Sequence, residues 1–426
     1  MEKTIDIAVV GGGAAGFMAA ITARQQLPGA RVFILERARK VLAKVLISGG
    51  GRCNLTNSFA SVSDLRQMYP RGHKLMKRLF NTFGPADARL WFESRGVPLV
   101  VQADECVFPQ SQDSHSVARC LTDEARRLGV EVRTEHTLTA VRRLDDGRLQ
   151  LLFKEQEPLC CRRAAITTGG SPTLRGLQHL MDMGHAIELP VPSLFTFTIQ
   201  DAALRSLMGT VAERASVAIP GTRLRAEGEL LITHWGMSGP AILKLSSHAA
   251  RIISEQQYRF PLSVNWLHQS NAAVVEEQLR SLAAANARKQ LSSARLQALP
   301  TRLWLHLLTR AGLPAERKWA EMGSKGFNRL VETLTNDVYQ VSGKSAFRDE
   351  FVTCGGVSLR SINPNTLESR HCEGLFFAGE VLDIDAITGG FNLQAAWTTG
   401  YVAGLNMAAG ARSEAQENRH RPSTAP

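Results

Sequence analysis

The sequence predicts an α/β chain in which one parallel sheet is interrupted by an inserted β module and a helical module. Three observations lead to this prediction. A strand, a glycine-rich turn and a helix occupy residues 5–24, another strand of the same kind ends near residue 379, and the residue pattern changes at about residue 190. Because alternating strands and helices are typical of a parallel sheet, we expect the two ends of the chain to contribute to one sheet.

The first 36 residues have the pattern of a βαβ unit. Residues 5–10 form a β-branched run of strand length, residues 11–16 are rich in glycine, and residues 17–24 favour a helix. A second strand at residues 31–36 follows the break at Pro28-Gly29, which completes a unit of the expected size. Further strands of this type are predicted at residues 129–133, 163–168 and 374–379.

The inserted segment begins near Pro190. Residues 193–264 contain short alternating runs typical of antiparallel strands, whereas residues 271–336 are rich in Ala, Leu, Gln, Arg and Glu with helical periodicity. The tail from Arg412 has no apolar period. We therefore predict these domains: a discontinuous nucleotide-binding domain at 1–190 and 350–411, an inserted β domain at 191–270 and 337–349, a helical domain at 271–336, and a disordered tail at 412–426.

Composition excludes several classes of protein. A chain of 426 residues with 44% hydrophobic residues can form two or three domains with real cores, so disordered, fibrous and small disulfide-stapled classes are excluded. The seven cysteines form no repeated CxxC pair, which argues against a disulfide framework and a metal site and favours a reducing cytoplasm. We expect no secretory signal and no membrane segment, because the start lacks a long apolar stretch and no 18-residue apolar run occurs.

The formal charge of +11 leaves two interpretations open. A polyanionic partner would be bound through Lys and Arg that neutralise its phosphates. A solvated basic surface without a partner explains the same composition, and composition alone favours this second interpretation.

The glycine turn is the strongest local signal for a ligand. Gly11 permits a tight turn off the strand, Gly13 lets the backbone approach a diphosphate, and Gly16 lets the helix pack against the sheet. The diphosphate would then lie at the N-terminus of the helix. Glu36 ends the second strand, where its carboxylate can accept from a ribose hydroxyl, and an acid here disfavours a 2′-phosphate. The spacing therefore predicts FAD or NAD and not NADP.

Two further segments favour FAD over NAD. Residues 44–57 form a second loop with three consecutive glycines, which leave room for a planar ring or a diphosphate. Residues 389–394 lead into a helix whose positive end would face the pyrimidine side of a reduced flavin. The predicted cofactor-binding residues are Gly11, Gly13, Ala14, Ala15, Gly16, Glu36, Lys44, Gly50, Gly51, Gly170, Gly379, Glu380, Asp383, Gly390, Phe391 and Asn392.

The same segments resemble a known family. The Ile-Ser-Gly-Gly-Gly-Arg-Cys-Asn run at 47–54, the Thr-His-Trp-Gly-Met-Ser-Gly-Pro run at 233–240, the Thr-Cys-Gly-Gly-Val run at 353–357 and the glycine motifs at 379–396 are similar to motifs of the YhiN-like (BaiN-like) bacterial flavoproteins. The resemblance covers residues 4 to about 408. One departure lies at residues 171–177, where the chain is shorter than the family pattern and lacks its acidic residue.

The resemblance implies an FAD-dependent oxidoreductase with a discontinuous Rossmann-type FAD-binding domain, an inserted β-barrel-like domain and a helical domain. The activities attached to this family are reduction of activated C=C bonds in bile-acid intermediates, amine oxidation, and formation of dihydrouridine in large-subunit ribosomal RNA. The resemblance alone does not choose among these activities.

Three residues are candidates for catalysis. Cys53 could protonate a carbon that has received hydride, or it could be a small side chain packed under the flavin, and the nearby Arg52 would favour the thiolate. Arg52 could also stabilise negative charge on flavin or substrate, or it could form a surface ion pair. His234 could reach the flavin from the insert and titrate near neutral pH, or it could be structural.

Other polar residues are predicted to bind. Asp383 would accept from the FAD ribitol, as acids after this turn commonly do in this fold class, and Asn392 and Gln394 could meet the flavin pyrimidine or cap the helix. Basic clusters are predicted at Arg71, His73, Lys74, Lys77 and Arg78 on one helix, and at Arg126-Arg127, Arg142-Arg143 and Arg162-Arg163.

These observations lead to a hypothesis and two alternatives. The leading hypothesis is an FAD-dependent reductase of a conjugated C=C bond, with uridine in 23S ribosomal RNA as substrate. The alternatives are a small-molecule flavoenzyme, either an enone reductase or an amine oxidase, and a non-catalytic RNA-binding flavoprotein. No second GxGxxG unit occurs, so NAD(P)H, if it is the electron donor, would bind transiently near the flavin.

Overall fold

The computed structural model describes residues 5–344 and 352–420, and side chains as far as residue 410. It divides into two compact units, one formed by Met1–Val191 with Val352–Pro426 and the other by Pro192–Phe351. The first contains a mixed sheet with helices and the second contains a closed barrel with helices. The predicted fold class, a discontinuous Rossmann-type domain with inserted barrel and helical parts, is confirmed.

The first unit is built on one large sheet. Its strands are β1 Ile5–Val10, β2 Val32–Leu35, β6 Glu131–Arg133, β7 Thr137–Arg143, β8 Leu149–Lys154, β9 Leu159–Ile166 and β18 Leu375–Phe377. Among the described residues the order is β6-β2-β1-β9-β8-β7, and β18 also pairs with β9. Strands β6, β2, β1, β9 and β18 are parallel, whereas β7 and β8 form an antiparallel extension. The two ends of the chain therefore meet in one sheet.

Smaller strand pairs complete the first unit. The strands β3 Thr56–Asn57, β4 Leu99–Val101 and β5 Cys106–Pro109 form a sheet in the order β3-β5-β4, and β10 Ile187–Ser193 pairs with β17 Val352–Val357. The three-stranded sheet has no signal in the sequence, because strands of two to four residues are too short to show a period.

The described part of the first unit also contains helices. They are α1 Ala14–Gln26, α2 Ala43–Ile47, α3 Leu65–Met68, α4 His73–Leu79, α5 Pro85–Glu93, α6 Ser114–Arg127, α7 Gln178–Met181 and α14 Phe391–His420. Helices α1 and α14 pack very closely, because a Cβ on Gly400 would lie 2.4 Å from the Ala15 carbonyl oxygen, and a Cβ on Gly404 equally near that of Ala19. Single-turn 3₁₀ helices occur at Ser48–Gly51, Leu174–Leu177, Leu359–Ser361 and Gly379–Val381.

The second unit is a closed barrel with attached helices. Its strands are β11 Phe197–Ile199, β12 Val211–Ala218, β13 Arg225–Ile232, β14 Gly236–Ser238, β15 Phe260–Asn265 and β16 Asp337–Lys344, in the order β11-β14-β13-β12-β15-β16. Its helices are α8 Ala202–Arg205, α9 Pro240–His248, α10 Ala250–Glu255, α11 Ala272–Ala285, α12 Thr301–Arg310 and α13 Ser324–Thr335, with a 3₁₀ turn at Trp319–Glu321.

Barrel and helices share one hydrophobic core. The Trp266 backbone N–H donates to the Leu334 carbonyl oxygen, and its indole N–H donates to Asp337. The limits predicted at residues 270 and 336 therefore separate types of secondary structure rather than compact units.

The last helix continues into the segment that we predicted as a disordered tail. Helix α14 runs to His420, since Ala, Glu, Gln and Arg all favour a helix without needing an apolar face. Residues 421–426 of the predicted tail lie outside the described residues. Within residues 5–344 and 352–420, no helix is both long enough and apolar enough to span a bilayer.

Candidate functional site

The first glycine turn combines tight packing with open space. A Cβ on Gly16 would lie 1.9 Å from the Gly11 carbonyl oxygen, and a Cβ on Gly11 would lie 2.4 Å from that of Thr167. Nothing lies within 4 Å of the corresponding position at Gly13. Gly11 and Gly16 therefore allow the strand and helix to approach, whereas Gly13 leaves room for a ligand.

Helix α1 begins directly at this turn. Gly13 is its N-cap with extended backbone, and no side chain caps the helix. The first helical hydrogen bond runs from the Phe17 N–H to the Gly13 carbonyl oxygen. The N–H groups of Ala14, Ala15 and Gly16 precede that bond, and such groups at a helix start bind anions well. This end of the helix fits a diphosphate.

Glu36 lies beside the same turn. Its carboxylate accepts from the Gly12 N–H at 2.7 Å and from the Ala38 N–H at 2.8 Å. Two carboxylate oxygens have about four acceptor sites, so Glu36 can also accept from a ribose hydroxyl. The two backbone hydrogen bonds fix the direction of the Glu36 carboxylate and leave acceptor sites for further hydrogen bonds.

A cavity of about 200 Å³ opens next to Glu36. Its lining includes Gly11, Glu36, Arg37, His136, Leu138, Gly169, Gly170 and His179. The size and the acidic group suit the adenosine half of FAD. His136, Leu138 and His179 were not predicted. His136 precedes β7, Leu138 lies in β7 and His179 in α7, and the approach of these elements to the glycine turn depends on the fold.

Lys44 and Glu380 bind each other. The Lys44 ammonium lies 2.6 Å from one Glu380 oxygen, and the other oxygen accepts from the Thr353 N–H at 2.9 Å. A Cβ on Gly170 would lie 2.6 Å from Glu380, and one on Gly379 would lie 2.8 Å from the Ala15 methyl group. The structure thus brings these four predicted residues together near the start of α1.

The second glycine loop contacts the start of α14. Gly50 and Gly51 have φ values of +69° and +84°, and nothing lies within 4 Å of a Cβ at either position. At Gly390 the φ value is +87°, and a Cβ would lie 2.2 Å from the Thr56 carbonyl oxygen. The loop and the helix start therefore form one region, with open space above two of its glycines.

Gln394 does not face that open space. It is fully buried, its amide oxygen accepts from the Thr56 hydroxyl at 2.6 Å, and its amide nitrogen donates to Thr398 at 3.0 Å. The Thr398 hydroxyl in turn donates to the Phe83 carbonyl oxygen. The predicted contact from Gln394 to a flavin pyrimidine is therefore wrong, because its polar groups hold the loop to the helix.

Asn392 is also used within the protein. Its side-chain oxygen accepts from the Ala386 N–H at 2.9 Å, and its amide nitrogen donates to the Ala386 carbonyl oxygen at 3.0 Å. These bonds hold the segment before α14 in place, so the polar atoms of the Asn392 side chain are already hydrogen-bonded within the protein. The neighbouring Phe391 is buried, and its carbonyl oxygen accepts from the Tyr69 hydroxyl at 2.8 Å.

Arg71 does not belong to the predicted basic helix face. It precedes α4 and forms a two-contact ion pair with the fully buried Asp385. This pair joins the segment before α4 to residues 383–387. Gly72, in the same segment, also packs against Ile384. Asp383 is half-buried, and its N–H donates to the Val357 carbonyl oxygen at 3.0 Å.

Cys53 is a buried neutral thiol. It is 0% exposed, it has a φ of +63°, and its N–H donates to the Ser48 carbonyl oxygen. Burial raises the pKa of the thiol to about 12, against the smaller opposite effect of a hydrogen bond with Ser48. The thiol therefore stays protonated despite the neighbouring Arg52, which is compatible with a proton donor and with a packed side chain. Its complete burial favours the packing role.

Arg52 points to the outside of the loop. Its guanidinium lies over the Phe108 ring at 4.3 Å, and it donates to the Gly49 carbonyl oxygen and to Gln112. His234 lies in the second unit, exposed in the turn between β13 and β14. The structure therefore does not bring the three catalytic candidates into one cluster within either unit.

Several predicted basic clusters are neutralised locally. Arg126, Arg127, Arg143 and Arg162 form ion pairs with Asp123, Glu124, Glu373 and Asp6, respectively. Arg163 is buried, whereas Lys74, Lys77 and Arg78 on α4 are exposed as predicted. The only cluster from the sequence analysis that presents an exposed face with no ion pair among the described residues is therefore the one on α4.

Comparison with protein families and curated proteins gives long matches. The model described as HI0933-like protein Rossmann domain matches residues 5–406. The 3-dehydro-bile acid delta(4,6)-reductase of Clostridium scindens is 29% identical over 93% of this chain and 98% of its own length. The ribosomal RNA dihydrouridine synthases of Escherichia coli and Haemophilus influenzae are 27% and 25% identical, each over 96% of this chain and 99% of the relative.

Solved structures support the fold. An open conformation of a flavocytochrome c3 fumarate reductase matches with a TM-score of 0.50 at 17% identity, over 96% of this chain and 79% of the other. A 3-ketosteroid delta1-dehydrogenase from Sterolibacterium denitrificans also matches with a TM-score of 0.50, at 12% identity over 96% and 100%. At these identities the likeness concerns the fold alone.

Proposed function

Because the chain belongs to the HI0933-like Rossmann-domain family and is an FAD-dependent oxidoreductase, we propose that it reduces a conjugated C=C bond, with uridine in 23S ribosomal RNA as its substrate. Reduced FAD, when bound, supplies the hydride for such a reaction. The remaining contributions come from the protein, which must bind the cofactor, leave space at its ring and recognise the substrate.

The residues present fit FAD. The start of α1 would hold the diphosphate, the open position at Gly13 would admit it, and Glu36 would accept from the ribose. Lys44 adds a positive charge near the start of α1, although Glu380 already partners it. Each of these groups is already fixed in direction by the bonds described above.

The ring end fits a planar group through backbone and space. Gly50 and Gly51 present no side chain, and the start of α14 directs its N–H groups and its positive dipole end out of the helix. Charge that develops on a reduced ring would be stabilised there without a charged side chain. Thr56 and Gln394 serve this arrangement by holding the loop against the helix.

The basic face of α4 is the observation that carries the RNA substrate. Lys74, Lys77 and Arg78 are exposed on one face of a helix that starts two residues after Arg71. Arg71 joins the start of this helix to the segment that leads into α14. A basic surface that suits phosphates therefore lies in the element attached to the proposed ring end, where a polynucleotide substrate would need it.

A steroid-like enone is the second candidate substrate. Its support is the 29% identity with the bile-acid reductase, which exceeds the identity with either ribosomal RNA enzyme. Both substrates contain a C=C bond conjugated to a carbonyl group, so the same cofactor chemistry serves either one. The candidates differ in charge, and the α4 face distinguishes them.

The test is nucleoside mass spectrometry of 23S RNA from wild-type cells, a deletion strain and a strain complemented with K74E/K77E/R78E. We expect dihydrouridine to disappear on deletion and to fall in the complemented strain, while the purified variant keeps its FAD. If the deletion strain retains every dihydrouridine of its 23S RNA, the RNA substrate is wrong. Reduction of an enone by the purified enzyme would then support the second candidate.

A further inference from the structure

We infer that the turn formed by residues 233–236 of the second unit is a stacking surface for an unpaired base of the RNA substrate. This inference rests on the proposed function and adds a specific contact to it. It starts from the six tryptophans of the chain. Five are at most 7% exposed, whereas Trp235 is 39% exposed.

The turn presents Trp235 rigidly. The Thr233 N–H donates to the Gly236 carbonyl oxygen at 2.8 Å, and the Thr233 hydroxyl accepts from the N–H groups of Trp235 and Gly236 at 3.2 Å. Gly236 has a φ of +150°, and a Cβ there would lie 2.5 Å from the Phe197 carbonyl oxygen. A side chain at position 236 is therefore excluded. Gly236 packs against β11, while the preceding residues His234 and Trp235 are exposed.

Two aromatic rings stand together on this turn. The exposed His234 ring lies 4.6 Å from the Trp235 ring at an angle of 45°. Aromatic groups fixed at the surface of a protein are the usual platform for bases of single-stranded nucleic acid, because every base has a flat apolar face. The pair offers such a face with little conformational entropy to lose on binding.

Neighbouring segments add apolar surface. The Trp235 carbonyl oxygen accepts from the Ile199 N–H, and Ile232 exchanges backbone bonds with Gly209 and Thr210. The adjoining Met208 is 56% exposed and Val211 is 36% exposed. The turn therefore belongs to an apolar patch on one end of the barrel, built from residues 208–211 and 233–236.

The charge around this patch suits phosphates. Residues 192–344 contain 18 Lys and Arg against 11 Asp and Glu, a net charge of +7 in about a third of the chain. Arg205 ends α8 three residues before Met208, and the Arg302 guanidinium donates to the Ser206 carbonyl oxygen at 2.5 Å. The exposed carboxylates on the strands beside the turn include Glu213 on β12 and Glu229 on β13. The positive excess of the unit, with Arg205 and Arg302 placed next to residues 206–208, suits the phosphates of a single strand whose bases stack on aromatic rings.

The geometry favours RNA over a small apolar ligand at this patch. Small-molecule sites are concave and enclose most of the ligand, whereas His234 and Trp235 are both exposed on a tight turn between two strands. An unpaired base needs only one flat partner, with its phosphates held at the edge. A steroid at the same place would leave most of its surface in water.

The experiment compares holoenzyme variants for binding of a single-stranded 23S RNA fragment and of an oligouridylate. We expect W235A to weaken binding about tenfold and W235F to keep most of the affinity, because stacking needs an aromatic ring. The salt dependence should stay unchanged in W235A and become less steep in R205Q/R302Q. The matched control is I252A, which removes another exposed apolar side chain of the same unit, 37% exposed.

Two outcomes overturn different statements. Wild-type affinity of W235A, at unchanged FAD content and melting temperature, overturns the stacking inference and leaves the proposed function intact. Failure of the wild-type holoenzyme to bind either RNA overturns the RNA substrate itself, and the inference with it.

Discussion

The two ends of the proposed FAD site are built on different principles. At the diphosphate end, the strand, the turn and the helix present backbone groups, and Gly11, Gly13 and Gly16 act through the absence of a side chain. At the ring end, a loop and a distant helix are held together by buried side chains, above all Thr56 and Gln394. The first end depends on local spacing, and the second depends on partners that only the fold brings together.

This difference decided how much the sequence could predict. The glycine turn, Glu36 and the sheet shared by both chain ends follow from spacing within the first 36 residues and from the last strand. Gln394 was misassigned because its partner Thr56 lies 338 residues away. Likewise, Arg71 was placed on an exposed helix face, since its buried partner Asp385 lies 314 residues away.

The inserted unit gives a second example. Alternation predicted antiparallel strands, and helical periodicity predicted the helices. Closure of the barrel depends on the pairing of β11 with β16, which no local residue pattern predicts. The exposure of His234 and Trp235 in the turn after β13 was equally unpredictable, because it depends on the packing of Gly236 against another strand.

The largest expected effect separates the two kinds of glycine at the diphosphate end. In G16V the new side chain would meet the Gly11 carbonyl oxygen, so we expect loss of stable folded protein. In G13V nothing obstructs the side chain, so we expect a folded protein that has lost FAD. Absorbance at 450 nm and thermal melting distinguish the outcomes, with G29A as a control in open space. A yellow G13V protein would contradict the assignment of the diphosphate.

The next effect concerns the ion pair at the ring end. R71M leaves the buried Asp385 carboxylate without its cation, and removal of one partner of a buried pair costs about 3–5 kcal/mol. We expect a matching loss in urea-unfolding free energy. The double variant R71M/D385L should recover much of that loss, because no charge is then left unpaired. A double variant as unstable as R71M would mean that the pair is not the cause.

A smaller effect tests the bond between loop and helix. T56V keeps the shape of the side chain but removes the donor to the buried Gln394 oxygen. An unsatisfied buried group of this kind costs about 1–3 kcal/mol. We also expect weaker FAD binding, since the loop is no longer fixed to α14. T122V is the control, because that half-buried hydroxyl bonds only carbonyl oxygens of its own helix.

The smallest effect is expected at Cys53, and it decides between packing and acid catalysis. If the thiol only packs, C53A should retain FAD and most of its turnover, and the pH profiles of variant and wild type should have the same shape.

Because burial raises the pKa of this thiol to about 12, it stays protonated in the folded state where the unfolded thiol ionises, above about pH 9. Its contribution to stability is therefore complete below that pH and falls as the pH rises towards the folded value. C53A should accordingly lose less stability than wild type between pH 8 and pH 10.5. A fall in turnover of two orders of magnitude in C53A, with FAD bound and C53S no better, would instead show that the thiol delivers a proton, and the ring end would then hold a catalytic side chain after all.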